Sequence, residues 1–136
     1  MTLQFVVLFH SMPSNSDRTS HWDLMLELPS SASKPPTQND KVLQTWSLDS
    51  PAVTGQKIVA TQLPNHRRVY LNYEGPLTAN RGTVRRELTG VLQWIRDEPE
   101  FKEVILQTTS LRWHVLIQRE SHDKFIVDIR DASEKS

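Results

Sequence analysis

Short segments rich in β-branched and aromatic residues are the feature of this chain that most limits how it can fold. In residues 21–28, HWDLMLEL, apolar and polar side chains alternate with the period of two that is typical of a strand. One predicted face carries Trp22, Leu24, Leu26 and Leu28. The other carries His21, Asp23, Met25 and Glu27, and is polar apart from the methionine.

Further strand candidates follow at short intervals, separated by loops and turns rich in Pro, Ser, Asn and Asp. They are TLQFVVLFH (2–10), KVLQTWSL (41–48), VRRELTGVLQWI (84–95), EVILQTT (103–109), LRWHVLIQR (111–119) and KFIVDI (124–129). Segment 84–95 also permits a helix, but Thr89 and Gly90 in its middle disfavour one. The spacing predicts an all-β fold, a barrel or a sandwich, with the four tryptophans in the core.

Length and composition restrict the organisation and the chemistry. The chain has 136 residues, enough for one domain, which we place at residues 1–130 with a frayed tail at 131–136. It has no cysteine, which excludes disulfides, a thiolate zinc site and a cysteine nucleophile. Sixteen basic residues balance sixteen acidic ones, so any anionic partner must be recognised by a local patch. No segment has the pattern of a transmembrane span or a signal peptide, and we expect a cytoplasmic protein that does not bind membranes.

Two histidines and an aspartate in the first half of the chain form a candidate metal site. The period of a strand places His21 and Asp23 on one face, with β carbons roughly 7 Å apart. His10 ends the preceding strand candidate and completes the triad if the two strands are neighbours. Two imidazoles and one carboxylate leave coordination positions open, as a catalytic Mn, Fe or Zn ion requires. Glu27 shares the face of His21 and Asp23, and is a candidate supporting residue beyond the ligands.

The order of several motifs resembles the 3'-phosphoesterase domain of bacterial and archaeal DNA ligase D and its stand-alone relatives. The motifs are FVVLFH, HWDLMLE, LQTWSL, NHRRVYLNYEGP, GTV and LRWHVLIQR, and they span roughly residues 3 to 119. The resemblance implies an eight-stranded β barrel with small flanking helices and a manganese-dependent activity. Such an enzyme removes a 3'-terminal ribonucleotide and then the 3'-phosphate from DNA, which leaves a 3'-hydroxyl for ligation.

Position by position, the resemblance assigns roles to five residues. The metal ligands fall on His10, His21 and Asp23, and the catalytic residues beside the phosphate fall on His66 and Tyr70. Without the resemblance, His66 would be a turn histidine and Tyr70 an ordinary strand aromatic. The implied partners are 3' ends of DNA or of DNA/RNA hybrids, with a separate ligase or polymerase as a further candidate. We expect a monomer.

The chain departs from the family pattern at three basic positions, which carry Met25, Ser50 and Ile58 here, although Lys57 remains. Other arginines are candidates for binding phosphate or nucleic acid in place of the clamp arginine that Met25 replaces. They are Arg81, the preferred one, with Arg67, Arg68, Arg85 and Arg86.

Two alternatives remain open at this stage. A non-catalytic member of the same family would keep the barrel and bind a nucleic-acid end or a protein. An iron-dependent oxygenase would combine His21 and Asp23 with the distant His114 and Arg119.

Overall fold

A computed structural model describes residues 2–34 and 36–133, and within them the regular structure is nearly all strand, with loops between the strands. The strands are β1 Leu3–Ser11, β2 His21–Glu27, β3 Leu43–Leu48, β4 Lys57–His66, β5 Gly75–Pro76, β6 Thr83–Glu98, β7 Phe101–Gln107, β8 Arg112–Ser121 and β9 Lys124–Asp131. Two short 3-10 helices complete the list, η1 at Pro29–Ala32 and η2 at Arg68–Leu71.

Eight of these strands form one closed antiparallel barrel. The strand order is β1-β2-β3-β4-β9-β8-β7-β6-β5, and β6 also pairs with β1, which closes the barrel and leaves β5 as an extra strand at its margin. The prediction of an all-β barrel of about eight strands is confirmed. No helix among the described residues is long and apolar enough to cross a membrane.

The inward-facing side chains of the eight strands form the main core. Trp46 and Phe125 are fully buried there, and their rings meet edge to face with centroids 6.0 Å apart. Trp113 is also buried, while Trp22 and Trp94 are partly buried against the same core. The expected core position is therefore confirmed for Trp46 and Trp113, while Trp22 and Trp94 lie at the edge of the core.

A second, smaller apolar cluster lies on the opposite face of β1 and β2. It contains Val6 and Leu8 of β1, Met25 of β2 and Leu71 of η2, with Tyr70 and Leu77 packed against it. Strands β1 and β2 are therefore buried on both faces, one by the barrel interior and the other by η2 and the segment that follows it. This covered outer face carries the candidate metal ligands.

The structure adds one strand that the sequence did not predict, corrects the element that contains Tyr70, and decides between strand and helix for residues 84–95. Strand β4 was not predicted, although Ile58 and Ala60 alternate into the core. Tyr70 lies in η2 rather than in a strand. Segment 84–95 belongs to strand β6, where Gly90 allows the close approach of β7, because a β carbon there would lie 2.0 Å from the Gln107 carbonyl oxygen.

The predicted frayed tail falls partly outside the description. Strand β9 includes Asp131, the first residue of that tail, and residues 134–136 lie outside the described residues.

Candidate metal centre and adjoining pocket

The hairpin of β1 and β2 brings the three predicted metal ligands together. His10 and His21 are direct partners across the two strands, and the next pair on the same face is Leu8 with Asp23. The imidazole centroids are 4.6 Å apart. One ligand atom from each of the three residues lies within 4.8 Å of the others. The group can hold a metal ion, and this confirms the predicted convergence of His10, His21 and Asp23.

Backbone carbonyl groups fix which nitrogen of each imidazole faces the cluster. His10 Nε2 lies 2.6 Å from the Arg81 carbonyl oxygen, and His21 Nδ1 lies 3.1 Å from that of Thr19. A carbonyl oxygen only accepts, so each of these nitrogens donates its hydrogen. In the neutral rings, His10 Nδ1 and His21 Nε2 then carry lone pairs directed towards Asp23. Such an outer hydrogen bond is the usual way in which metal-binding histidines are oriented.

Gly82 makes the approach of the Arg81 carbonyl group to His10 possible. Its φ angle is +88°, and a β carbon on Gly82 would lie 2.0 Å from the Ser11 carbonyl oxygen. The turn that contains Arg81 closes with a hydrogen bond from the Leu77 amide to the Gly82 carbonyl oxygen. The turn between β5 and β6 is therefore packed directly against the end of β1.

The atoms of the triad that face each other are buried, and some of them lack a hydrogen-bond partner among the described residues. Asp23 Oδ2 lies 3.4 Å from His10 Nδ1, and Asp23 Oδ1 lies 3.3 Å from His21 Nε2. His21 Nε2 and Asp23 Oδ1 are within ion-pair distance of each other, but neither atom has a hydrogen-bond partner among the described residues. Buried acceptors that face each other need a proton or a cation between them. A divalent ion fits this donor set.

The same contacts shift two pKa values. Burial alone would lower the pKa of His21, but the Asp23 carboxylate beside it outweighs burial and raises that pKa above its ordinary value. Burial would raise the pKa of Asp23, but His10 and His21 outweigh it and hold that pKa below its ordinary value. Asp23 is therefore ionised at neutral pH, as a metal ligand must be.

A cavity of about 310 Å³ opens beside the triad, and the two predicted catalytic residues line it as well. His66 ends β4 and donates from Nδ1 to the Pro64 carbonyl oxygen at 2.8 Å, so its Nε2 is the nitrogen free to act on a ligand. Tyr70 stands against His66 edge to face, with ring centroids 5.8 Å apart. The structure thus brings together His10, the pair His21 and Asp23, and the pair His66 and Tyr70, which come from three separate parts of the sequence.

Two arginines line the cavity, one predicted and one missed. Arg81 is held by its own turn, where Nε donates to the Thr78 carbonyl oxygen and Nη2 to Thr78 Oγ1, each at 2.9 Å. Arg18 lies in the loop between β1 and β2, and its amide donates to Ser16 Oγ at 3.1 Å. The sequence does contain a signal for Arg18, because it is the single arginine between the proposed metal ligands His10 and His21.

Other predicted residues lie elsewhere. Arg67 borders an adjoining recess, while Arg68 forms an ion pair with Glu27. Arg85 pairs with Glu87 and lies over the Phe9 ring. None of these three arginines lines the metal pocket. Arg86 forms an ion pair with Glu74 and does not line the metal pocket either.

Glu27 does not support the metal ligands by direct contact. Its carboxylate is fully buried and accepts from the Gln4 amide and from Arg68 Nε, both at 2.9 Å. The expected supporting role is thus replaced by an ion pair that joins β2 to η2. His114 also lies apart from the triad, with Nε2 2.6 Å from Glu103 Oε2, which leaves the oxygenase alternative without its third ligand.

The departures from the family pattern have simple packing explanations at two positions. Ile58 points into the barrel core, where a charged side chain would be unpaired. Met25 is 1% exposed and fills the second apolar cluster while lining the pocket.

The chain was compared with models of known protein families and with curated proteins, and neither comparison finds a match.

Proposed function

We propose that this protein is a manganese-dependent phosphoesterase that acts on nucleic-acid 3' ends, removing a 3'-ribonucleotide or a 3'-phosphate. The observation that carries the proposal is the single cavity lined by all three metal ligands together with His66, Tyr70 and Arg81. The resemblance supports the same assignment, because it implies the three metal ligands, the histidine and the tyrosine in this order; Arg81 comes from the structure and the sequence of this chain alone. Zinc and iron suit the same ligands, so the choice of manganese rests on the resemblance.

The residues of the chain suit the chemistry of a phosphate ester. A bound divalent ion would polarise the phosphoryl oxygen and lower the pKa of a water molecule. His66 donates from Nδ1 to Pro64, so a proton for the leaving oxygen would come from Nε2 of its imidazolium form, which becomes the neutral ring. Tyr70 can donate a hydrogen bond to a phosphate oxygen, and Arg81 supplies a positive charge to the same cavity.

Arg18 and Arg81 compensate for the methionine at the family's clamp position. Both line the cavity, and neither forms an ion pair with a carboxylate in the described part of the chain. Arg81 donates two of its roughly five N–H groups to Thr78, and its remaining donors can bind a phosphate. Phosphate binding in this chain would therefore depend on the loops around the pocket rather than on strand β2.

The test is release of 3'-phosphate from a phosphorylated primer annealed to a template, with and without Mn²⁺. We expect Mn²⁺-stimulated release that is reduced at least about 100-fold by His10→Ala, Asp23→Ala or His66→Ala. His114→Ala is the matched control, because this histidine belongs to the Glu103 pair, and we expect it to retain activity. Folded wild-type protein that releases no phosphate under these conditions would contradict the proposal.

Met25 favours one alternative, a non-catalytic relative that binds a nucleic-acid end or a protein. Activity that appears only in Met25→Arg would support that alternative, whereas activity in the wild type would remove it. A separate ligase or polymerase would be the expected user of the healed 3' end.

A further inference from the structure

A second recess beside the metal pocket has an unusual concentration of positive charge. It measures about 380 Å³, and Arg18, Lys41 and Arg67 surround His66 and Tyr70 at its walls. None of the acidic residues in the described part of the chain lines the recess. The side chains come from three separate loops, so the concentration is a product of the fold and not of a basic run in the sequence.

These cations differ from most other arginines of the protein in having no carboxylate partner. Six arginines form ion pairs, namely Arg68, Arg85, Arg86, Arg96, Arg119 and Arg130. Within residues 2–34 and 36–133, no ion pair is formed by Arg18, Lys41 or Arg67. Arg67 instead lies 5.7 Å from the centroid of the Tyr70 ring, with one long contact of 3.5 Å to Asn39 Oδ1. Three unpaired cations around one concavity repel each other, and an anion would relieve that repulsion.

The recess and the metal pocket share a wall. Arg18, Leu63, His66 and Tyr70 line both cavities. A ligand whose phosphate lies at the metal would therefore extend past His66 and Tyr70 directly into the recess.

We propose that the recess lined by Arg18, Lys41 and Arg67 is a second anion-binding site, which holds a phosphate of the substrate other than the one at the metal. The inference rests on the proposed function for the first phosphate. It identifies the preferred substrate class as one with two phosphates, either on one nucleotide or on successive nucleotides of a strand. A simple 3'-phosphate would fill only half of the combined site.

The test measures binding to Mn²⁺-loaded protein by calorimetry, with ligands that cannot be hydrolysed. The first probe is a thymidine analogue with a 3'-methylenephosphonate. The second carries the same group and a 5'-phosphate, and the third is a thymidine dinucleotide with the same 3' group. We expect the second or the third probe to bind about fivefold to tenfold more tightly than the first at low salt, because solvent-exposed ion pairs contribute modestly.

Variants identify the origin of that gain. Arg67→Gln and Lys41→Gln should each remove most of it, while the affinity for the first probe changes less than about twofold. Arg130→Gln is the matched control, since its exposed guanidinium pairs with Asp128 on another part of the barrel.

A gain with the second probe alone identifies a single nucleotide with two phosphates as the source, and a gain only with the third identifies a polynucleotide. A gain with both assigns the second phosphate to the 5' oxygen of the terminal nucleotide, which the two probes share. Equal affinity for all three probes, or a gain that persists in Arg67→Gln and Lys41→Gln, would overturn the inference. Phosphate release from a hydrolysable 3'-phosphorylated strand is scored separately, so a protein that shows the gain but no hydrolysis would contradict the phosphoesterase and leave the second site intact.

Discussion

The ion pair between Glu27 and Arg68 provides the sharpest test of how this fold is held together. Glu27 is fully buried and Arg68 is 20% exposed, and the pair joins β2, which carries His21 and Asp23, to η2, which carries Tyr70. Arg68→Met keeps most of the side-chain volume and removes the charge. The Glu27 carboxylate would then keep only the Gln4 amide of its two described partners.

The expected loss follows from the burial of the carboxylate. Removing one partner of a buried pair costs roughly 3 to 5 kcal/mol, and the partial exposure of Arg68 places the loss near about 3 kcal/mol. For a domain of this size that corresponds to a Tm lower by about 10 °C. Arg130→Met is the control, because its ion pair is 58% exposed on the arginine side and should contribute less than about 1 kcal/mol.

Urea unfolding with and without a second substitution separates charge from packing. In Glu27→Gln/Arg68→Met the uncompensated charge is absent while an acceptor for the Gln4 amide remains, so the double variant should be more stable than Arg68→Met alone. A loss of stability in Arg68→Met no larger than in the Arg130→Met control would refute the assigned role of the Glu27–Arg68 pair. A double variant less stable than Arg68→Met would do the same.

Two further predictions concern pH and packing. In EDTA, the raised pKa of His21 contributes stability that is present below its ordinary value of 6.5 and is lost as pH rises through the pKa of the folded protein. The lowered pKa of Asp23 contributes stability that is present above its ordinary value of 3.8 and is lost as pH falls through the pKa of the folded protein. The urea midpoint of unfolding should therefore be raised between about pH 4 and 6.5 and should fall on either side. Asp23→Asn should flatten this dependence on pH. A variant with the same pH dependence as the wild type would contradict the assigned contacts. Gly90→Ala should destabilise the barrel by about 2 kcal/mol or more, because the added β carbon would overlap the Gln107 carbonyl oxygen in the β6–β7 ladder. A calorimetric Tm within about 2 °C of the wild type would contradict that packing.

The sequence by itself determined the features that depend on local periodicity. The strict alternation of residues 21–28 places His21 and Asp23 on one face of a strand whatever that strand pairs with, because successive side chains of a strand always point in opposite directions. The run of short β-rich segments likewise predicted a barrel or a sandwich. Strand β4 was missed because its alternation weakens after Ala60, where the residues become polar.

Only the tertiary structure decided which distant residues meet. His10 faces His21 because of the register of β1 on β2, and Arg81 reaches the pocket because β6 closes the barrel against β1. Arg67 and Arg68 are adjacent in the sequence and equally basic, yet one borders the charged recess and the other is held by Glu27. Residue type and spacing carry no information about such pairings, since the partner of each side chain is set by contacts between segments far apart along the chain.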